Sequence, residues 1–110
     1  MQLQENDRFR VRQAAVVVHP IDEYTGRTVS DPLLNGMVIR MTDGSVPVKK
    51  SGGYWVFWEN GERLRTLVAE SPWFEREEQV LDLEEWRQQP DLVLEFWLRP
   101  GPGYPYPVEE

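Results

Sequence analysis

Cysteine is missing from all 110 residues. Disulfides, thiolate metal sites and thiol nucleophiles are therefore excluded together, while the redox compartment is left open. Histidine is almost as scarce. His19 is the only one, so an imidazole-based metal site is not expected, and a single ring would have to serve every serine-nucleophile scheme. No apolar run approaches the roughly 18 residues of a membrane span. The opening MQLQENDRFR has no apolar segment that could act as a secretory signal, so a cytoplasmic location is the expectation. Basic residues are outnumbered, 12 Lys and Arg against 19 Asp and Glu, for a net charge of -7. The imbalance is uneven: residues 1–55 hold seven basic and six acidic side chains (7 − 6 = +1), and residues 56–110 hold five and thirteen (5 − 13 = −8). That balance argues against a nucleic-acid backbone or an anionic membrane as partner.

What the chain does have is aromatic and β-branched residues, with five Trp, four Tyr and four Phe. Alanine is scarce, and nine prolines and eight glycines interrupt the sequence at short intervals. This is an all-β composition with little room for helices.

Alternation of period two marks the strands. Phe9 to Val18 reads as the first, with Arg8, Arg10 and Arg12 on a wet face that protects an edge, and His19-Pro20 closing it. Val16, Val17 and Val18 break the alternation, so this end is expected to be covered on both faces. Asp22 to Thr28 is a polar turn in which Gly26 is free to take positive φ. Residues 30–36 read as loop, and Met37 to Met41 as a strand. Val46 to Lys50 is a short edge strand at best, because Pro47 cannot donate to a ladder. Tyr54 to Trp58 is the strongest strand signal, and Arg63 to Glu70 reads as its return across an Asn60-Gly61 hairpin turn of type I′. Ser71 to Phe74 makes a corner, and Glu77 to Leu83 is another strand. Glu84 to Pro90 holds at most one helical turn. Leu92 to Leu98 is the last strand, with Leu92, Leu94, Phe96 and Leu98 opposed to Val93, Glu95 and Trp97.

The sum is a small antiparallel β-sandwich of about seven strands, immunoglobulin- or prealbumin-like in class, with turns every 8 to 12 residues. Residues 1–99 form the single domain, with residues 1–7 expected to be a flexible N-terminus. Residues 100–110, rich in Pro, Gly and Tyr, form a tail expected to be extended and similar to polyproline II. A tail of this composition also has the option of lying back on its own domain.

Three segments carry a resemblance: Asp22-Glu23-Tyr24-Thr25-Gly26-Arg27, then Lys50-Ser51-Gly52-Gly53-Tyr54-Trp55-Val56-Phe57, then Leu67-Val68-Ala69-Glu70-Ser71 with Trp73-Phe74. Over roughly residues 14–83 the chain resembles the carboxypeptidase-regulatory-like (prealbumin-like, or transthyretin-like) sandwich domains. The resemblance implies a non-catalytic accessory or interaction module, without zinc-peptidase machinery. Its better-defined relatives fit poorly. Isopeptide-forming pilin and adhesin sandwiches need a lysine where the first strand offers arginines, and arginine cannot be that nucleophile. The transthyretin-like hydrolases need more than one histidine and a different C-terminal motif. Nothing at residue level supports the tetramer channel that hormone carriage requires.

The remaining chemistry is thin. Asp22, Glu23 and Asp31, or Asp82, Glu84 and Glu85, lack the D-x-D-x-D-G spacing of a calcium loop and read as solvated charge. Ser30, Ser45, Ser51 and Ser71 sit in turns, with no G-x-S-x-G elbow. Gly52-Gly53 is no phosphate loop. A two-carboxylate glycosidase pair has no specific signal among nineteen candidates. No catalytic residue, metal or cofactor is therefore expected, and the chain is read as not an enzyme. Surplus aromatic rings are more informative, since flat exposed rings anchor protein interfaces or stack on sugars. The candidate contacts are Trp73, Trp86, Trp97, Tyr104 and Tyr106, with Trp73 and Trp86 first for exposure because no strand pattern constrains them. Arg99 to Pro105 also matches an R-x-x-P-x-x-P ligand pattern, but such matches arise easily in Pro-rich stretches and an extended tail or linker is the preferred reading. The leading expectation is a β-sandwich acting through contacts with a protein partner in a larger assembly; the alternative is carbohydrate binding by exposed Trp and Tyr.

Overall fold

A computed structural model describes residues 13–89 and 93–108. The expectations for residues 1–7 and for the arginines at 8, 10 and 12 lie outside the described residues. The fold is a two-layer, mostly antiparallel β-sandwich, with eight strands and one short helix among the described residues. The larger sheet holds β1 (Ala14–Asp22), β2 (Arg27–Thr28), β4 (Val48–Lys50), β5 (Tyr54–Trp58) and β8 (Val93–Leu98); the smaller holds β3 (Val38–Met41), β6 (Leu64–Glu70) and β7 (Glu77–Asp82). The helical turn α1 (Leu83–Trp86) follows β7 and is capped by the Asp82 carboxylate, which accepts from the Glu84 amide. No helix among the described residues is long and apolar enough to cross a membrane.

β1 is the central strand. It pairs antiparallel with β5 over Ala14–Val18, antiparallel with β2 at Ile21 and Asp22, and parallel with β8 from Val17 to Asp22. Because β8 overlaps both other partners in register, it must lie on the opposite edge of β1 from them. The strand does not stop at His19-Pro20, as the sequence suggests, but runs on to Asp22. Pro20 is tolerated because its missing N–H falls where β5 has ended and β2 has not begun, while its carbonyl still accepts from the Val29 amide at 3.1 Å.

The Asn60-Gly61 pair does not make a hairpin. β5 belongs to the larger sheet and β6 to the smaller, so residues 59–63 carry the chain from one layer to the other. A type I′ turn requires positive φ at both central residues. Only Gly61 has it (φ 86), and no residue other than glycine does among those described. Instead the side chains of Glu59 and Asn60 accept from the amides of Gly61 and Glu62.

The core lies between the layers. Val16, Val18, Trp55, Phe57, Phe96 and Leu98 meet Ile39, Met41, Leu67, Ala69 and Leu81. Fully burying side chains of this size stabilises by roughly 1.5–3 kcal/mol each. A buried charged residue shares this inward face: Arg65 lies on β6 in the same alternation as Leu67 and Ala69, with its side chain 1% exposed. It donates to Asp43 Oδ2 (2.9 Å), Ser45 Oγ (2.9 Å) and the Trp58 carbonyl (3.0 Å), fastening the β3–β4 loop and the end of β5 to the smaller sheet.

The tail is not free over its described length. Phe74 and Pro100 form a β-bridge, the Gly101 amide donates to the Trp73 carbonyl, and Tyr104 closes a turn onto the Gly101 carbonyl. Of the two options, the segment lies back on the domain. Glycine permits it: a Cβ at Gly103 would stand 2.1 Å from the Pro72 carbonyl oxygen. The Pro-Gly-Pro-Gly run is thus a close-approach device as well as a helix breaker.

Candidate functional site

The two outer faces of the sandwich differ in kind. On the smaller sheet Arg40 pairs with Glu70, and Arg76 pairs with Glu70 and Glu78. That face carries these exposed ion pairs, with Val38, Leu64 and Val80 exposed among them.

On the larger sheet the outward side chains fall into rows, because residues opposite one another in register share a face. One row crosses four strands and is entirely valine: Val48, Val56, Val17 and Val93. The next runs Lys50, Tyr54, His19 and Glu95, with His19 and Tyr54 stacked at 4.6 Å between ring centroids. His19 Nε2 also lies 2.8 Å from Thr28 Oγ1, which fixes the ring beside Tyr54. The third row is Thr28, Ile21 and Trp97. Val48, Tyr54, Val93 and Trp97 are exposed, whereas Val56 and Ile21 in the same rows are buried. Val16 and Val18 point to the core, while Val17 faces out and is half-buried in the valine row, so the strand end is covered fully on its inner side and partly on its outer side. The helical turn α1 contacts β7 of the smaller sheet. Beyond Val48 the apolar surface continues into a 440 Å³ cleft lined by Val46, Pro47, Trp58, Glu59 and Asn60.

A second, polar site is assembled by the tail. Asp22 is buried at the end of β1, and its carboxylate accepts from the Tyr24 amide (2.8 Å) and from the Tyr104 hydroxyl. Burial, then the hydrogen bond to Asp22, pushes the Tyr104 hydroxyl well above the ordinary tyrosine range. Around this contact Thr25, Arg27, Ser30, Asp31 and Tyr106 line a 160 Å³ cleft. Tyr104 is the centre of an aromatic cluster, with Phe74, Tyr106 and Tyr24 at 5.7, 5.8 and 6.2 Å, each edge to face.

The five aromatic residues singled out from sequence do not converge on one place. Trp97 is 46% exposed on the face of the larger sheet, as its alternation implies, and Tyr106 is 48% exposed on the tail. Tyr104 packs on the core beside it. Trp73 and Trp86, first for exposure on sequence grounds, are half-buried against the core. The Trp73 indole donates to the Asn35 carbonyl at 2.9 Å, and the Trp86 Nε1 is buried without a partner among the described residues. Both were freed from strand pattern only to be used as plugs: at a small domain's open edges a large ring covers more core than a short chain otherwise can. The valine row was not nominated at all. Its only trace in the sequence is the uninterrupted Val16-Val17-Val18, which demands cover on both sides of a strand.

Among the described residues no group of three or more His, Asp or Glu side chains is placed to hold a metal ion. Asp22 is engaged by Tyr24 and Tyr104, and Asp82 by the helix cap and by Arg63. Compared with known proteins, the chain matches no family model, no curated protein and no solved structure.

Proposed function

We propose that the chain is a non-catalytic β-sandwich interaction module, and that it contacts protein through the outer face of its larger sheet. The observation that carries this reading is the contrast between the two outer faces. One is laced with ion pairs, while the other presents a valine row with Tyr54 in the row beside it and Trp97 one row further along β8. Contiguous exposed apolar surface on a soluble domain marks an interaction site more often than single exposed residues do. Rigid aromatic rings at its edge are suited to anchoring, because they combine large area with few rotatable bonds. The resemblance of residues 14–83 to carboxypeptidase-regulatory-like domains points the same way, toward an accessory role in a larger assembly.

The test is co-purification with a Trp97→Ser/Val48→Ser variant and an Arg40→Gln variant on the opposite face, all matched for thermal midpoint. Loss of the bound protein in the first and retention in the second is expected; equal behaviour of both variants would refute the reading. A carbohydrate-binding reading has one supporting observation, the flat exposed ring of Trp97, and predicts quenching of its fluorescence by oligosaccharides.

A further inference from the structure

We propose that the larger sheet's outer face is self-complementary and that the protein it contacts is a second copy of this chain, related by a twofold axis parallel to the strands. This inference rests on that face being the interaction surface, and it identifies the occupant.

The strands run across the sheet in the order β4, β5, β1, β8. In the middle row Lys50 stands at one end on β4, and Glu95 stands at the other end on β8. Both are exposed, and among the described residues neither takes part in an ion pair. They are three strand spacings apart, roughly 14 Å, and so are out of reach of each other within one chain. By contrast, of the described arginines only Arg27 lacks such a pair.

Consider rotation by 180° about an axis that lies in the face, parallel to the strands and between β5 and β1. It leaves each row at its own height and reverses it from left to right. Lys50 then meets Glu95 of the second copy, and Glu95 meets its Lys50. Val48 meets Val93, Val56 meets Val17, and the stacked His19–Tyr54 pair meets its own image. A single operation thus sets valine on valine along one row and opposite charges at both ends of the next. A twofold axis perpendicular to the sheets cannot bring these faces together, and an in-plane axis across the strands would place Lys50 over Lys50. The contact is isologous and closed, so it yields a dimer and not a fibre. Sheets packed in this aligned manner lie about 10 Å apart.

The flat area is on the order of 400 Å² per copy, from four strand spacings and about six residues of strand length. That is at the small end of specific interfaces, so the dimer is weak and exchanging, with a dissociation constant in the micromolar range or above.

Sedimentation equilibrium of the full chain against concentration, with Lys50→Glu, Glu95→Lys and a mixture of the two, tests the geometry. Wild type is expected to dimerise. Each single variant places two like-charge contacts in its own dimer and is expected to weaken it at least tenfold. The two variants mixed in equal amounts restore both opposite-charge contacts and are expected to associate with each other to within about threefold of wild type. Wild type that stays monomeric at millimolar concentration overturns the inference, as do single variants that dimerise like wild type or a mixture that fails to associate. If co-purification of a different protein still depends on Trp97 and Val48 in that event, the interaction reading survives and only the identity of the partner falls.

Discussion

Arg65 and Asp43 meet at 2.9 Å, one side chain almost wholly inside the sandwich and the other reaching solvent at its end. The pair joins the two layers at the point where the chain crosses between them, and it explains how an arginine can occupy a core position of β6. Its guanidinium has an acceptor for each of three directions, Asp43, Ser45 and the Trp58 carbonyl. A buried charge left without its partner is far costlier than the pair is stabilising. Asp43→Ala is therefore expected to lower stability by about 2–3 kcal/mol in urea unfolding. Arg65→Lys is expected to do similarly, because a single ammonium cannot span three acceptors in a plane.

The same contact sets an acid limit. Burial pushes the Asp43 carboxyl up, but the Ser45 hydroxyl and amide, followed by Arg65, more than offset it and hold the group at about 2. A carboxyl depressed on folding contributes stability that is present above the ordinary aspartate value of about 3.9 and is lost as the pH falls through the folded value. The gap in thermal midpoint between wild type and Asp43→Asn should therefore be widest near neutrality and close between about pH 4 and 2.

Tyr104 locks the tail onto the domain. Tyr104→Phe leaves the buried Asp22 carboxylate with one donor fewer and is expected to cost about 1–3 kcal/mol. Because the hydroxyl is shifted upward on folding, its contribution is present below the ordinary tyrosine value of about 10 and declines as the pH rises beyond it. In wild type, absorbance titration should show a tyrosine step above the ordinary range, and that late step should vanish in the variant. Gly103→Ala, which drives a methyl into the Pro72 carbonyl, is expected to detach the tail and to increase the accessibility of Phe74 and Tyr104.

Two tryptophans separate packing from hydrogen bonding. Trp86→Phe removes a buried N–H that has no partner among the described residues and keeps most of the ring, so the expected change is within about 0.5 kcal/mol or slightly stabilising. Trp73→Phe forfeits the bond to the Asn35 carbonyl and is expected to cost about 1 kcal/mol. Denaturant midpoints of the two variants, measured side by side, check the contrast.

Much of the architecture was legible because alternation is a local property. Leu94, Phe96 and Leu98 opposed to Glu95 and Trp97 could be read directly, and β8 follows that reading. Asn60-Gly61 could not be assigned the same way. The pair suits a tight hairpin, but whether β6 turns back beside β5 or crosses to another layer depends on the partners β3 and β7, which are distant in sequence. Arg65 was hidden for a related reason, since its acceptors come from the β3–β4 loop and the end of β5. The candidate face was the least legible of all. A valine row exists only when four strands come into register, and each contributes a single residue that is unremarkable in its own segment.

The parallel union of β1 with β8 has a temporal consequence. The strand at the centre of the larger sheet is synthesised well before its neighbour on one side, which emerges some seventy residues later. Until then a half-made polypeptide carries a bare ladder through Val17–Asp22, the kind of backbone that captures stray extended chains. Closure across so long a loop is slow relative to local pairing. Cells making this protein are thus expected to rely on chaperone shielding during its translation, and a stop before Val93 should yield insoluble product and not a smaller domain.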